Sequence, residues 1–282
     1  DRSTLDKYVI PISGEKKITD IVRRDIVRVL DPIRERGAEV QANRVQALVR
    51  RMFNFAVERG VIENSPATHI KMTREKSRDR VLSKEEIPTL FKALNARGLW
   101  TGTRLALEMI LRTAQRPGEI RLMQKDEIDH DKQFWTIPSE KAKNGVVHLI
   151  PLTQKMISII DVAASVSSSD YVFGSPRKLQ EPLSIFSMAQ AMRKAFADSK
   201  MERVTPHDLR RTAATYISEA GFNRLVVDKL LNHVDRTVGG TYDRHDYLKE
   251  KRMALEAWER ELDSILSDKK SETKVLSIGA EK

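Results

Sequence analysis

Apolar side chains recur along most of this chain with the spacing of an α-helical face. Ile18, Ile21 and Val22 open one such face, with Thr19 as its N-cap, and the pattern runs through Asp25 to Leu30. It meets Asp31-Pro32, where a proline predicts a break. From Ala42 to Arg59 the positions Val45, Leu48, Val49, Met52, Phe53 and Ala56 share one face. Gly60 ends that helix, and Arg44, Arg50, Arg51 and Arg59 decorate it. Residues 15–64 thus read as helical. Lys71-Met-Thr-Arg-Glu-Lys-Ser-Arg-Asp-Arg80 is polar and cation-rich, the pattern of an extended linker or a solvated loop.

A second run of elements begins near Leu82. Ser83 and Glu86 form a capping box for a helix to Leu94. Thr103 to Leu111 continues helical, and Thr113 to Leu122 is a tight turn into a new helix. Phe134–Ile137 and Val147–Leu152 read as strands, with Asn144-Gly145 between them as a hairpin signal. Residues 153–164, 183–197, 205–220 and 223–231 are helical, with Gly221 closing the third of these. Residues 248–266 form a last amphipathic helix, and 268–282 carry the polarity of a disordered tail. The expected fold is mainly α (α+β), a helical domain followed by a mixed α/β domain with a small antiparallel sheet. The boundaries fall at 1–70, a basic linker at 71–81, 82–267 and the tail at 268–282.

Composition narrows the function. Among 282 residues, 50 Lys and Arg face 40 Asp and Glu, a net charge of +10 that favours a polyanionic partner. With no cysteine there is no disulfide, thiolate metal site or cysteine nucleophile. No apolar stretch approaches a membrane span, no signal peptide is visible, and the chain opens on Asp1, which reads as a start trimmed upstream.

Several segments carry candidate chemistry. In Thr205-Pro-His-Asp-Leu-Arg-Arg-Thr212, Thr205 caps, Pro206 fits the first helical position and Asp208 completes the box. His207 and Arg210 then lie three apart near a positive helix end, a ready anion site. Arg116 stands at another helix entrance before Pro117-Gly118-Glu119, with Glu119 placed to orient it. Lys143 stands at the exposed turn, with Lys141 close enough to compete for its role. His233 follows the helix ending in Leu230-Leu231, and Tyr242 lies nine residues on, beyond Gly239-Gly240. Alone, each segment has a plain structural explanation: a capped surface helix, a surface Arg–Glu pair, a solvated lysine, a packing tyrosine.

Their order is informative. Arg116, Lys143, His207-x-x-Arg210, His233 and Tyr242 resemble the pattern of the tyrosine recombinases, or phage integrases, across residues 82–266. Ala42-Asn-Arg44 and Met52-Phe-Asn-Phe-Ala-Val-Glu-Arg-Gly60 look like the helical core-site-binding domain of prophage and genomic-island integrases. Asn232 departs from the family's usual Gly before the second His, and nothing matches the arm-binding domain the family often carries.

The resemblance implies a site-specific recombinase that cuts and rejoins DNA through a 3′-phosphotyrosine on Tyr242. Arg116 and Arg210 would clamp the phosphate, His207 and His233 would add donors or move the tyrosine proton, and Lys143 would be the general acid. It implies no cofactor and no metal. Partners would be a duplex core site, other copies in a homotetramer on synapsed DNA (a monomer when free), and accessory bending or directionality proteins in a bacterial cytoplasm. Candidate DNA contacts are Arg44, Arg50, Arg51, Arg74, Lys76, Arg78 and Arg211. The last helix's stripe of Leu248, Met253, Leu255, Trp258, Leu262, Ile265 and Leu266 docks on a neighbouring subunit in this reading, or else on its own domain. A type IB topoisomerase-like enzyme and a non-catalytic DNA-binding regulator of the same fold are the alternatives.

Overall fold

The computed structural model describes residues 1–75, 78–96, 98–197, 201–233 and 247–267. They form two compact units, divided between Arg78 and Asp79.

The first unit opens with two short helices that the apolar pattern did not reveal, α1 (Arg2–Tyr8) and α2 (Ile10–Ser13). Two longer helices follow, α3 (Arg23–Glu35) and α4 (Glu39–Glu58). The expected cap at Thr19 is not made. The buried Asp25 carboxylate accepts from the Val22 backbone N–H at 3.1 Å and from the Lys16 ammonium at 2.6 Å, so α3 is capped three residues later, at Val22. Nor does Pro32 break it. The ring lies on the exposed face, while Leu30 and Ile33 on the core side hold the helix on course. The cost is one missing hydrogen bond at a solvent-facing turn. Val29, Leu30 and Ile33 pack with Val45, Val49 and Phe53 of α4 to form this unit's core. Gly60, at φ 68°, closes α4 in the left-handed conformation, with Val61 N–H returning to the Ala56 carbonyl.

The start of the cation-rich stretch is not free. Gln46 of α4 donates to the Ile70 carbonyl at 2.7 Å, and the Asn43 carboxamide bonds both the N–H and the carbonyl of Thr73. Up to Thr73 the backbone is thus tied to α4.

The second unit is built around α6 (Thr101–Thr113), buried on nearly every face. Around it lie α5 (Glu86–Ala96), α7 (Pro117–Arg121), α8 (Gln154–Ser165), α9 (Ser187–Ala195), α10 (Pro206–Glu219), α11 (Arg224–Leu230) and α12 (Leu248–Leu266). Ser83 and Glu86 exchange the two bonds of the expected capping box. A three-stranded antiparallel sheet runs in the order β1 (Ile128–Asp129), β2 (Phe134–Ile137), β3 (His148–Pro151), with Trp135 opposite Ile150. β1 has two residues, too few to show a period. The expected mainly helical architecture with a small antiparallel sheet is what the chain adopts.

The ends of β2 and β3 fall within one residue of the expected strands, and Asn144-Gly145 lies in the connection between them, as expected. The last β2–β3 pair is Ile137 with His148, so residues 138–147 form a long connection. It turns in two steps: the Pro138 carbonyl accepts from Lys141 and Ala142, and the Ala142 carbonyl from Gly145. Lys143 and Asn144 are the corners of the second turn, and Gly145 (φ 72°) supplies the left-handed residue that follows.

The apolar stripe of α12 packs largely on its own unit, the second of the two alternatives, and Met253 stays exposed. Leu255, Trp258 and Leu262 are buried, the Trp258 indole donates to the Leu111 carbonyl at 2.7 Å, and its ring stacks on Tyr216. Beside it the buried Arg112 of α6 bonds Glu108, Glu259 and Asp263, fastening the helix electrostatically as well. The tail at 268–282 lies outside the described residues. No described helix is long and apolar enough to cross a membrane.

Trp258→Ala therefore opens a cavity within one chain. It should lower the second unit's unfolding free energy by about 3–5 kcal/mol in denaturant titration. A loss that grew with protein concentration would instead assign the helix to an interface between copies.

Candidate functional site

The site is organised by the C-terminal end of α11. A helix leaves its last carbonyls without intrahelical donors, and they carry the negative end of its dipole. Here each is accounted for. His233 N–H bonds the Asp228 carbonyl at 2.9 Å and Asn232 N–H the Lys229 carbonyl at 3.3 Å, the pair of bonds of a Schellman cap. In that cap the residue at Asn232 takes a left-handed conformation, and Asn232 has φ 52°. Glycine is the usual occupant, and Asn is among the few other residues that accept it.

The next three carbonyls are claimed by the candidate catalytic region. Leu230 accepts from the Gln115 carboxamide at 3.0 Å and from His148 Nε2 at 3.0 Å. Leu231 accepts from Arg210 Nη2 at 2.7 Å. Asn232 accepts from Arg116 Nη2 at 3.4 Å and Asn144 Nδ2 at 3.2 Å. One helix end thus gathers groups from the α6–α7 turn, β3, the β2–β3 connection and α10.

Arg210 reaches this point because of how α10 begins. Thr205 and Asp208 exchange capping bonds at 2.8 and 3.4 Å. With the start fixed, the fifth helical residue points inward. Arg210 is buried, and its other terminal nitrogen donates to the Ala114 carbonyl at 2.9 Å. Burial, and then repulsion from Arg116, pull its pKa down to about 10, with Glu119 opposing. It stays charged at neutral pH. Arg116 caps α7: its backbone N–H and its guanidinium both bond Glu119, at 3.0 and 2.8 Å. Two of the five N–H donors of each guanidinium are held by these partners, which leaves three for a ligand.

His207 stands at the surface beside Arg210. Partial desolvation, then the charges of Arg210 and Arg211, hold its pKa below the usual imidazole value, so it is neutral at neutral pH. His233 presents Nδ1 to Asp228 at 3.0 Å, and its ring is half exposed. Lys143 is exposed and has no polar partner among the described residues, whereas Lys141 is bound to Glu127, Gln124 and the Leu122 carbonyl. Of the two lysines, Lys143 has the available ammonium. Tyr242 lies outside the described residues. Tyr247 is half-buried, with the Lys229 ammonium over its ring.

Among the candidate DNA contacts, Arg44 and Arg74 are exposed with no polar partner among the described residues, and Arg78 is exposed. Arg50 bonds the Ile70 carbonyl, Arg51 pairs with Asp1, and Arg211 is held by Asp208. Lys76 lies outside the described residues.

Sequence reasoning passed over His148, Gln115 and Asn144. A lone His in Val-His-Leu-Ile-Pro reads as a strand residue, and only the fold brings it to α11. Burial, with nearby Lys251, drives its pKa down to about 3. The ring is neutral, and Nε2 donates to the Leu230 carbonyl.

Comparison with known proteins assigns the chain to a family. The sequence profile of the phage integrase family matches residues 80–249, more than half of the chain. The chain belongs to that family. The profile of the phage integrase central domain matches residues 2–73 of this integrase-family chain. Prophage integrase IntA of Escherichia coli (strain K12) is 26% identical over 260 residues, which cover 90% of this chain and 62% of IntA. The chain thus spans less than two thirds of that relative. A structure of a lambda integrase dimer bound to a COC′ core site superposes with TM-score 0.68 at 21% identity, covering 84% of this chain and 87% of that one. A lambda integrase tetramer bound to a Holliday junction gives 0.66 at 21% identity, covering 84% and 71%. At that identity the likeness is one of fold.

His148 sets a pH dependence. It is neutral when folded, and when unfolded it titrates near 6.5. Protons therefore favour the unfolded chain below that pH. This residue's share of stability falls by roughly 1.4 kcal/mol per pH unit from about 6.5 down to about 3. His148→Gln removes that share. The stability deficit of the variant at pH 7 should narrow steadily towards pH 4 in parallel urea titrations, and a constant deficit would contradict the assignment.

Proposed function

We propose that this chain is a site-specific DNA recombinase that cleaves and rejoins strands through a 3′-phosphotyrosine at Tyr242. The observation that carries the reading is the end of α11. It holds Arg116 and Arg210 on consecutive carbonyls, next to His233, and Tyr242 follows nine residues later in the sequence. Family membership supports it.

A phosphodiester resists attack because its own charge repels nucleophiles. The five-coordinate transition state gathers negative charge on the non-bridging oxygens. Two guanidiniums held in place beforehand stabilise that charge without reorganising at the moment of reaction. Tyr242 Oη attacks phosphorus and the bond to the 5′-oxygen breaks. The neutral His207 accepts the phenolic proton, His233 adds a donor, and Lys143 protonates the leaving 5′-oxygen. The phosphotyrosine keeps the bond energy, so a free 5′-hydroxyl reverses the step.

Residues 1–70 are the core-site-binding domain in this proposal, 71–81 the basic connection, and 82–267 the catalytic domain. Arg44 and Arg74 are the best-placed cations for salt-dependent phosphate contacts. Assembly as a tetramer on two synapsed sites is supported by the lambda integrase tetramer on a Holliday junction. Accessory proteins would act on that assembly.

The test is a nicked suicide duplex carrying the core site, read for an SDS-resistant adduct. Tyr242→Phe should abolish the adduct while DNA affinity stays nearly unchanged. Arg210→Lys cannot span the Ala114 and Leu231 carbonyls, and should slow adduct formation by roughly 10²–10³-fold. An adduct that persists in Tyr242→Phe makes the nucleophile another residue, with Tyr247 next in line. Tight binding with no adduct from any substrate points to a non-catalytic DNA-binding protein.

A further inference from the structure

The proposed general acid sits on the part of the site least obviously held. Lys143 is exposed, and no described residue bonds its ammonium. Its neighbour is different. Asn144 is the other corner of the Ala142–Gly145 turn, and every polar atom of its side chain is engaged. Asn144 Nδ2 donates to Asn232 Oδ1 at 2.7 Å and to the Asn232 carbonyl at 3.2 Å. Asn144 Oδ1 accepts from Asn232 Nδ2 at 3.3 Å and from the Val146 backbone at 3.2 Å. The two carboxamides are thus paired reciprocally, across 88 positions of sequence.

The other half of the pair is also unusual. Asn232 occupies the left-handed position of the α11 cap, where glycine carries no strain, and there its carboxamide meets the turn. The same residue's carbonyl accepts from Arg116. One residue therefore touches both the phosphate-clamp arginine and the turn that bears Lys143.

We propose that Asn144 and Asn232 form a latch that fixes the Lys143 turn against the end of α11. They act as positioning residues that register the general acid with the phosphate bound by Arg116 and Arg210. This inference rests on the recombinase reading above. The latch acts through Lys143, so its removal should matter only when the leaving oxygen needs a proton. Glycine at 232 keeps the cap conformation and removes only the carboxamide, so Asn232→Gly folds without strain. Asn144→Ala removes the opposite half.

The test compares two nicked suicide duplexes in single-turnover cleavage. One has the natural bridging 5′-oxygen, the other a bridging 5′-sulfur, which leaves as a stable thiolate and needs no general acid. Asn144→Ala and Asn232→Gly should each cleave the oxygen substrate about tenfold more slowly and the sulfur substrate at the wild-type rate. In a Lys143→Ala background neither should add a further loss. If Lys143→Ala shows the oxygen-specific defect but the asparagine variants slow both substrates equally, or neither, the latch is wrong and the recombinase reading stands. If Lys143→Ala itself slows both substrates equally, Lys143 is not the acid, and the latch falls with that assignment.

Discussion

The second unit depends on how the carbonyls at the end of α11 are satisfied. Five consecutive carbonyls, from Asp228 to Asn232, each have an identified donor. Two are closed by the cap itself, and three by side chains from distant segments. Buried backbone carbonyls cannot be left unpaired cheaply, so these bonds fix the spatial order of α6, α7, α10 and β3. The same requirement places two guanidiniums side by side, which repulsion alone would forbid. A helix C-terminus is the one backbone feature that welcomes both cations at once.

That arrangement is costly where it is most useful. Arg210 is almost wholly desolvated, and Arg116 beside it lowers its pKa further, with Glu119 as the counter-charge. His148 is kept neutral in the same surroundings and donates to Leu230 without adding a third charge. The rest of the unit supplies rigidity. Arg112 with its three carboxylates and Trp258 on the Leu111 carbonyl hold α12 along α6, whose C-cap residue Ala114 is the other anchor of Arg210.

Much of this was legible in the sequence, for identifiable reasons. Capping residues act locally, so Ser83–Glu86, Thr205–Asp208 and Arg116–Glu119 announced their helices and the side chains those helices aim. The long helices showed their period. Thr19 misled because Lys16 and Asp25 fixed the start of α3 by an ion pair that periodicity does not see. Pro32 misled because burial of Leu30 and Ile33 outweighs one lost bond. The two-residue β1 had no period to show, whereas β2 and β3 were placed to within one residue on either side of the Asn144-Gly145 turn. Gln115, His148 and the Asn144–Asn232 pair were invisible because each meets its partner across 82 or more positions. Only the folded chain defines them.

In the proposed reaction the site divides its work by stiffness. The groups that must meet developing charge are held by backbone carbonyls, whose positions follow from helix geometry. Lys143, the proposed donor to the leaving oxygen, sits on an exposed turn, where its side chain has room to move. A rigid clamp gains most from being arranged beforehand, because any reorganisation would be charged to the barrier. A proton donor needs its backbone held in register with the leaving oxygen, while its side chain keeps the freedom to reach that oxygen when the bond breaks. Asn232 lies where the two requirements meet: its carbonyl belongs to the rigid half, and its carboxamide belongs to the turn. A residue with no side chain there would keep the clamp but lose its connection to the acid. That difference gives an asparagine a reason to occupy a position whose backbone conformation suits glycine.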